Sequence, residues 1–256
     1  MTPSRTLSPQ AERIAALRSE IRALEQSRRA GRAESLPFGL EAIDRRLAAG
    51  GLVVSALHEI AGASPGLAAE AAANLFAAAA AARSGSEGEG TVLWALTRRD
   101  LFAPGLAQAG LMPERVLYAE CRRDEEVLAV MEEGLRHGGL CAVVGEAGRV
   151  AMAATRRLQL AAEEGGTMAL MLKRWRRFGE DPLALPSAAV TRWRVAPAPS
   201  APLPAPGVGR ARWSLELARQ RGGEPFTLFV EAPDEEARLA LAPGAADRAA
   251  QERRAA

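Results

Sequence analysis

Between residues 52 and 172 the chain alternates short apolar runs with longer helical patterns. The runs cover 52–60, 91–96, 115–119, 140–144 and 167–172. A small-residue loop at 61–70 opens an alanine-rich helix reaching 83, and further helices are predicted at 101–110, 124–136 and 150–164. Strands separated by helices of this length cannot pair as tight hairpins. They lie parallel in one sheet, with the helices returning over its faces. The expectation is an α/β fold with a mostly parallel sheet.

Alanine fills 56 of 256 positions and aromatics only 4%, so the core must rest on small side chains at close helix approach. Apolar residues at 48% and charged residues at 25% are the ordinary globular balance and exclude a wholly disordered chain. The longest apolar run, 75–82, is far short of the roughly 20 residues a bilayer span needs. The opening MTPSRTLSPQAERIA has no apolar h-region, so neither a membrane span nor a secretory leader is expected. Cys121 and Cys141 match no metal-ligand spacing and read as reduced cytosolic thiols. Of 33 basic residues 32 are arginine, and the one lysine is Lys173. Any chemistry needing a lysine elsewhere is excluded.

The organisation reads as three pieces. Residues 1–35 form a helical arm: Leu7, Ile14 and Ile21 recur every seven, with Leu17 and Leu24 between them. That narrow seam suits either this chain's own body or a partner's groove. Residues 36–242 form the core. Its last third changes character, with a strand at 189–195, a proline-rich loop at 196–207, and a hairpin of 212–219 and 226–231 around RGGEP. Residues 243–256 are an alanine-and-charge tail expected to fray.

The series LPFGLEAIDRRLAAGGL (36–52), a strand ending in Glu59-Ile60, a small-residue loop and a long helix resembles the RecA-like ATPase core. A working phosphate loop reads G-x-x-x-x-G-K-[ST]: backbone N–H groups cradle phosphate, lysine neutralises it, and the hydroxyl holds magnesium. Here Gly62, Ala63, Ser64, Pro65, Gly66, Leu67 and Ala68 stand in that place. Leu67 occupies the lysine position, Ala68 the hydroxyl position, and Pro65 removes a backbone donor. An ungapped reading puts Arg98 where the family carries its water-activating glutamate, and arginine is no base at neutral pH. It puts Glu146 at the magnesium acid, which reads either as a residual magnesium ligand or as a solvated loop carboxylate. The loops that bind DNA in RecA are shortened, so strand exchange is not expected.

The blank phosphate loop, the arm, the K-R-W-R-R motif and the R-W…R-x-R-G-G end together resemble the ImuA family. The resemblance implies a RecA-like core with antiparallel C-terminal strands and a non-catalytic role in SOS-induced, error-prone translesion synthesis. It implies as partners an ImuB-type inactive Y-family polymerase relative and an error-prone replicative-type DNA polymerase. Single-stranded DNA, RecA and self-association are further partners it allows, in a cytoplasmic, nucleoid-associated setting without membrane contact. No cofactor is implied beyond weak ATP/Mg binding. Two other readings stay open: a SulA-like division inhibitor that binds a tubulin-like GTPase, and a residual ATPase using Glu146.

Residues 173–221 hold ten basic residues against three acids, a local +7 in a chain of +2. Lys173, Arg174, Arg176, Arg177, Arg192, Arg194 and Arg212 are the candidate DNA or partner contacts, with Trp175 in a short loop as the candidate base-stacking residue. Arginine forks fit phosphate, and aromatic stacking on a base contributes roughly 1–3 kcal/mol. The alternating R-W-R pattern also fits a strand with Trp193 and Trp213 in the core and arginines on a solvated face.

Overall fold

The computed structural model describes residues 34–85, 89–200, 203, 206–207 and 209–242. The five apolar runs become five parallel strands: β3 (Leu57–Gly62), β4 (Val92–Leu96), β5 (Val116–Glu120), β6 (Ala142–Ala147) and β7 (Met168–Lys173). A sixth, β8 (Thr191–Ala198), runs parallel to β3 on its other side. Beyond it β9 (Arg212–Gln220), β10 (Phe226–Glu231) and β11 (Ala240–Leu241) pair antiparallel. The order across the nine-stranded sheet is β11-β10-β9-β8-β3-β7-β6-β4-β5. This is a RecA-like core with antiparallel C-terminal strands.

The run 52–60 is broken, contrary to the sequence reading. Leu52–Val53 (β2) pairs with Ser35–Leu36 (β1) in a separate two-stranded sheet, and the main strand begins only at Leu57. The buried His58 spans the break, its Nε2 donating to the Val53 carbonyl at 2.9 Å and its Nδ1 meeting the Thr191 hydroxyl at 2.7 Å. Burial lowers its pKa to about 4, so the ring is neutral at physiological pH. Thr191 also accepts from Trp193 Nε1 at 2.8 Å, which closes the network.

Helices cover both faces. On one face α2 (Leu67–Ala82) lies over β8, β3, β7 and β6, with α3 (Ala103–Gln108) beside it. Ten of the sixteen α2 residues are buried, nine of them alanine, so the helix packs close to the strands. Phe76 is its one large buried side chain. It meets Phe38 and Trp193 at ring-centroid distances of 5.8 and 5.5 Å. The other face carries α4 (Asp124–His137) and α5 (Met152–Gly165). A short α1 (Glu41–Asp44) sits between β1 and β2. Each parallel strand supplies both layers: Val92, Trp94 and Leu96 face the first, Leu93 and Ala95 the second. That is why these strands read as continuous apolar runs rather than alternating ones.

The approach of α4 to β6 depends on Gly145, where an added Cβ would lie 2.1 Å from Met131 Sδ and 3.1 Å from Val127 Cγ1. Gly145→Ala is expected to cost about 1–3 kcal/mol by overpacking. Equilibrium urea unfolding checks this: an unchanged midpoint would mean that Met131 moves aside freely.

Among the described residues no helix is long and apolar enough to cross a membrane. The seam residues Leu7, Ile14, Leu17, Ile21 and Leu24 lie outside the described residues.

Candidate functional site

In open α/β sheets ligands bind beyond the carboxyl ends of parallel strands, where strand order reverses. Here that region lies beyond β3, β7, β6 and β4. The loop after β3 is one residue shorter than the G-x-x-x-x-G-K-[ST] spacing: β3 ends at Gly62, a four-residue turn follows, and α2 starts at Leu67 with Gly66 as its N-cap at φ 143°. Gly62 is required by packing, since a Cβ there would meet the Ala69 carbonyl carbon at 2.8 Å. The side chains are not those of a phosphate loop. Leu67 points outward and is 83% exposed.

An arginine fills the space beside this loop. Arg174, directly after β7, is buried and donates to three carboxylates. Its Nε and one terminal nitrogen reach Glu146 Oε2 at 3.0 and 2.6 Å. The same nitrogen reaches Asp100 Oδ1 at 3.0 Å, and the other reaches Glu70 Oε2 at 2.7 Å. Trp94 Nε1 on β4 donates to the remaining Glu146 oxygen at 2.7 Å. The first turn of α2, the loop after β4 and the end of β6 are thus tied to one guanidinium. Next in sequence, Trp175 donates from Nε1 to the Gly62 carbonyl at 2.8 Å and ties the end of β3 as well.

The electrostatics follow from burial. Desolvation pushes the Glu146 carboxyl above the ordinary range, and Arg174 and Trp94 oppose that shift. Desolvation works against the Arg174 charge too, but Glu146, then Asp100 and Glu70, outweigh it and hold the guanidinium more firmly protonated than usual. Both Glu146 oxygens are therefore engaged, and the solvated loop acid of the sequence reading is instead a buried acceptor. Arg98 is exposed, while Asp100, two residues on, turns toward Arg174. Glu70, Trp94 and Asp100 were not singled out from the sequence. Their one common signal is position, in the first helical turn, on a central strand and just after its end. No group of three or more His, Cys, Asp or Glu side chains that could hold a metal ion occurs among the described residues.

No family model matches the chain. It is 37% identical over 204 residues to Protein ImuA of Caulobacter vibrioides, in both strain NA1000 and strain CB 15. Each match covers 78% of this chain and 84% of the relative. The chain belongs to the ImuA family.

The basic segment of this ImuA-family chain is not a single surface. Lys173, Arg174 and Arg192 are buried, which corrects their reading as candidate contacts. Lys173 and Arg174 lie at the end of β7 and Arg192 near the start of β8, and the two arginines neutralise buried acids. Arg192 Nε donates to the buried Glu59 at 2.6 Å, and a terminal nitrogen donates to the Leu185 carbonyl at 3.0 Å. Arg194 is half-buried between Asp181 and Glu216. Arg212 is half-buried, with Nε and one terminal nitrogen enclosed and without a hydrogen-bond partner. Trp193 and Trp213 face the core. Trp175 is half-buried against the phosphate-loop backbone. Arg176 and Arg177 remain exposed, followed by Phe178 at 92% exposure. Arg176 pairs with Asp124 at the start of α4. The same carboxylate accepts from the Gly148 amide at 2.9 Å, which fixes the loops after β6 and β7 to one another.

Proposed function

We propose that this chain is a non-catalytic accessory protein of DNA-damage-induced mutagenesis, acting in error-prone translesion synthesis as an adaptor. Its proposed partners are an ImuB-type protein and an error-prone polymerase. Family membership supports the setting. The observation that carries the non-catalytic reading is Arg174, whose guanidinium sits among Glu70, Asp100 and Glu146 at the mouth of the degenerate phosphate loop. A buried cation there repels magnesium and takes up the carboxylates that would hold it. With Leu67 and Ala68 in the loop, several electrostatic stabilisers are missing together, and each contributes roughly 10²–10³ in rate. The seam Leu7, Ile14, Leu17, Ile21 and Leu24 and the exposed Arg176-Arg177-Phe178 tip are the proposed contact elements for partner or single-stranded DNA.

The purified chain should show no ATP turnover. The double change Leu67→Lys and Ala68→Thr, which rewrites the loop chemistry, should not create it, because Arg174 still fills the site. In the source strain, deletion should lower the frequency of damage-induced mutations. Complementation by a Ser64→Ala or Leu67→Ala chain should restore it to the wild-type level. Turnover that Glu146→Ala abolishes would overturn the non-catalytic reading. A normal mutation frequency in the deletion strain would overturn the adaptor reading.

A further inference from the structure

The connection from β7 to β8 holds no helix or strand between residues 174 and 190. Connections of that length without regular structure are uncommon in compact domains, and those that occur usually serve a function. Its two ends are fixed. At one, the Arg174 amide donates to the Ala147 carbonyl and Trp175 to the Gly62 carbonyl. At the other, the Ala188 amide donates to Thr155 Oγ1 and the Val190 amide to the Leu57 carbonyl. Between them, among the described residues, no backbone group of 176–187 bonds to backbone outside the segment. Side chains hold it instead. Arg176 pairs with Asp124 at the start of α4, and Asp181 accepts from Arg194 on β8 at 2.5 Å. The carbonyls of Leu185 and Ser187 accept from Arg192 and Arg219 at 3.0 and 3.1 Å. Of its residues only Leu183 and Ser187 are buried, so lifting the segment uncovers little apolar surface.

The strand order places what lies beneath. Asp124 starts the helix over β6, Arg194 is on β8, and β7 and β3 come between them. On these strands Trp193, Leu172 and Ile60 face the α2 layer. Their neighbours in sequence, Arg192, Arg194, Lys173 and Glu59, therefore face the other way, on the side the segment crosses. Glu59 is already engaged by Arg192. Lys173 is buried, and its Nζ has no hydrogen-bond partner. A buried amine in that state is unfavourable, and water would satisfy it. We propose that residues 176–187 are a strap that opens as a unit while the rest of the core stays folded, and that its opening admits water to Lys173. Weak ties above the amine and its own unmet hydrogen bonds both favour opening. The exposed Arg176-Arg177-Phe178 tip rides on this strap.

Lys173 is the only lysine of the chain, so an amine-specific acylating reagent reports the opening at one side chain, read by mass in the peptide that carries it. In the full-length chain the rate at Lys173 should be well below that of the urea-unfolded chain, yet nearly independent of urea at low urea, because local opening exposes little surface. A steep dependence should appear only where global unfolding takes over. Salt at about 1 M screens the two ion pairs and should speed the reaction. Asp181→Asn and Asp124→Asn each remove one tie and should each speed it about two- to five-fold. The Asp181→Asn change should leave the urea midpoint of the whole chain little altered. The salt response needs no substitution and keeps the test meaningful if a variant fails to fold. Acylation that follows global unfolding at every urea concentration overturns the proposal. So does a rate equal to that of the unfolded chain, which would leave Lys173 uncovered, or a rate that neither salt nor the two substitutions change.

Discussion

Arg174→Ala is expected to destabilise the fold by about 3–5 kcal/mol, the cost of removing one partner from a buried ion pair. The change leaves Glu146 buried beside Glu70 and Asp100 with no cation between them. Trp94 Nε1 still serves one Glu146 oxygen, but the other faces two like charges. The loss should depend on pH in a definite direction. Burial already raises the Glu146 carboxyl, and without Arg174 it rises further. The folded variant then binds a proton more tightly than the unfolded chain does. Its deficit relative to wild type is full above the folded value and shrinks as pH falls through that value toward the unfolded carboxylate range of about 4–4.5. Pairing Arg174→Met with Glu146→Gln should recover most of the stability, because no unpaired buried charge is left. Urea unfolding at about pH 7 and pH 5 checks both statements. A variant within 1 kcal/mol of wild type at about pH 7 would show that the three carboxylates do not depend on this guanidinium.

The same residue shows what the sequence could and could not disclose. The parallel sheet was legible because its central strands β3, β7, β6 and β4 are largely buried on both faces and most crossovers are long helices. Both are local patterns, and 226–231 is a strand with the bounds the pattern suggested. The strands β1 and β11 were not legible, because two residues carry no period. The strand β8 runs on to Ala198, past the point where the prolines suggested a loop. Pro197 pairs with Trp213 of β9, but β3 has already ended at Gly62, so the strand is an edge on one side there, a setting that tolerates proline. Arg174 was misread for a different reason. Its neighbours in sequence, Arg176 and Arg177, are exposed, and a run of like residues suggests a common environment. What decides its role is three carboxylates at positions 70, 100 and 146, each delivered by a different element to the same end of the sheet. Charge counted along the chain gave +7. Charge counted in space gives buried pairs and a short exposed tip. The phosphate loop was legible as altered because its chemistry lies in consecutive residues, while its replacement by an internal cation lies only in the fold.

Lys173→Met is expected to stabilise the fold at neutral pH, by up to about 3 kcal/mol. The one lysine of the chain ends β7 with its ammonium buried and without a hydrogen-bond partner. Glu59 and Asp124 are the nearby acids that favour its charge, and Arg192 opposes it. Both acids are already engaged, Glu59 by Arg192 and Asp124 by Arg176 and the Gly148 amide. Burial therefore dominates and lowers the Lys173 pKa from 10.5 to about 8. The unfolded chain holds this proton more tightly than the folded one, so the protonated ammonium is a cost to folding. That cost is fully present below about pH 8 and is relieved as pH rises toward 10.5, where both states are losing the proton. At 1.36 kcal/mol per pH unit the separation amounts to about 3 kcal/mol. Methionine keeps the length and flexibility of the stem without the charge. The gain from Lys173→Met should be largest near pH 7 and should fade to nothing near about pH 10.5. A loss of stability at neutral pH would show that the ammonium holds Glu59 and Asp124 in place more strongly than its burial costs.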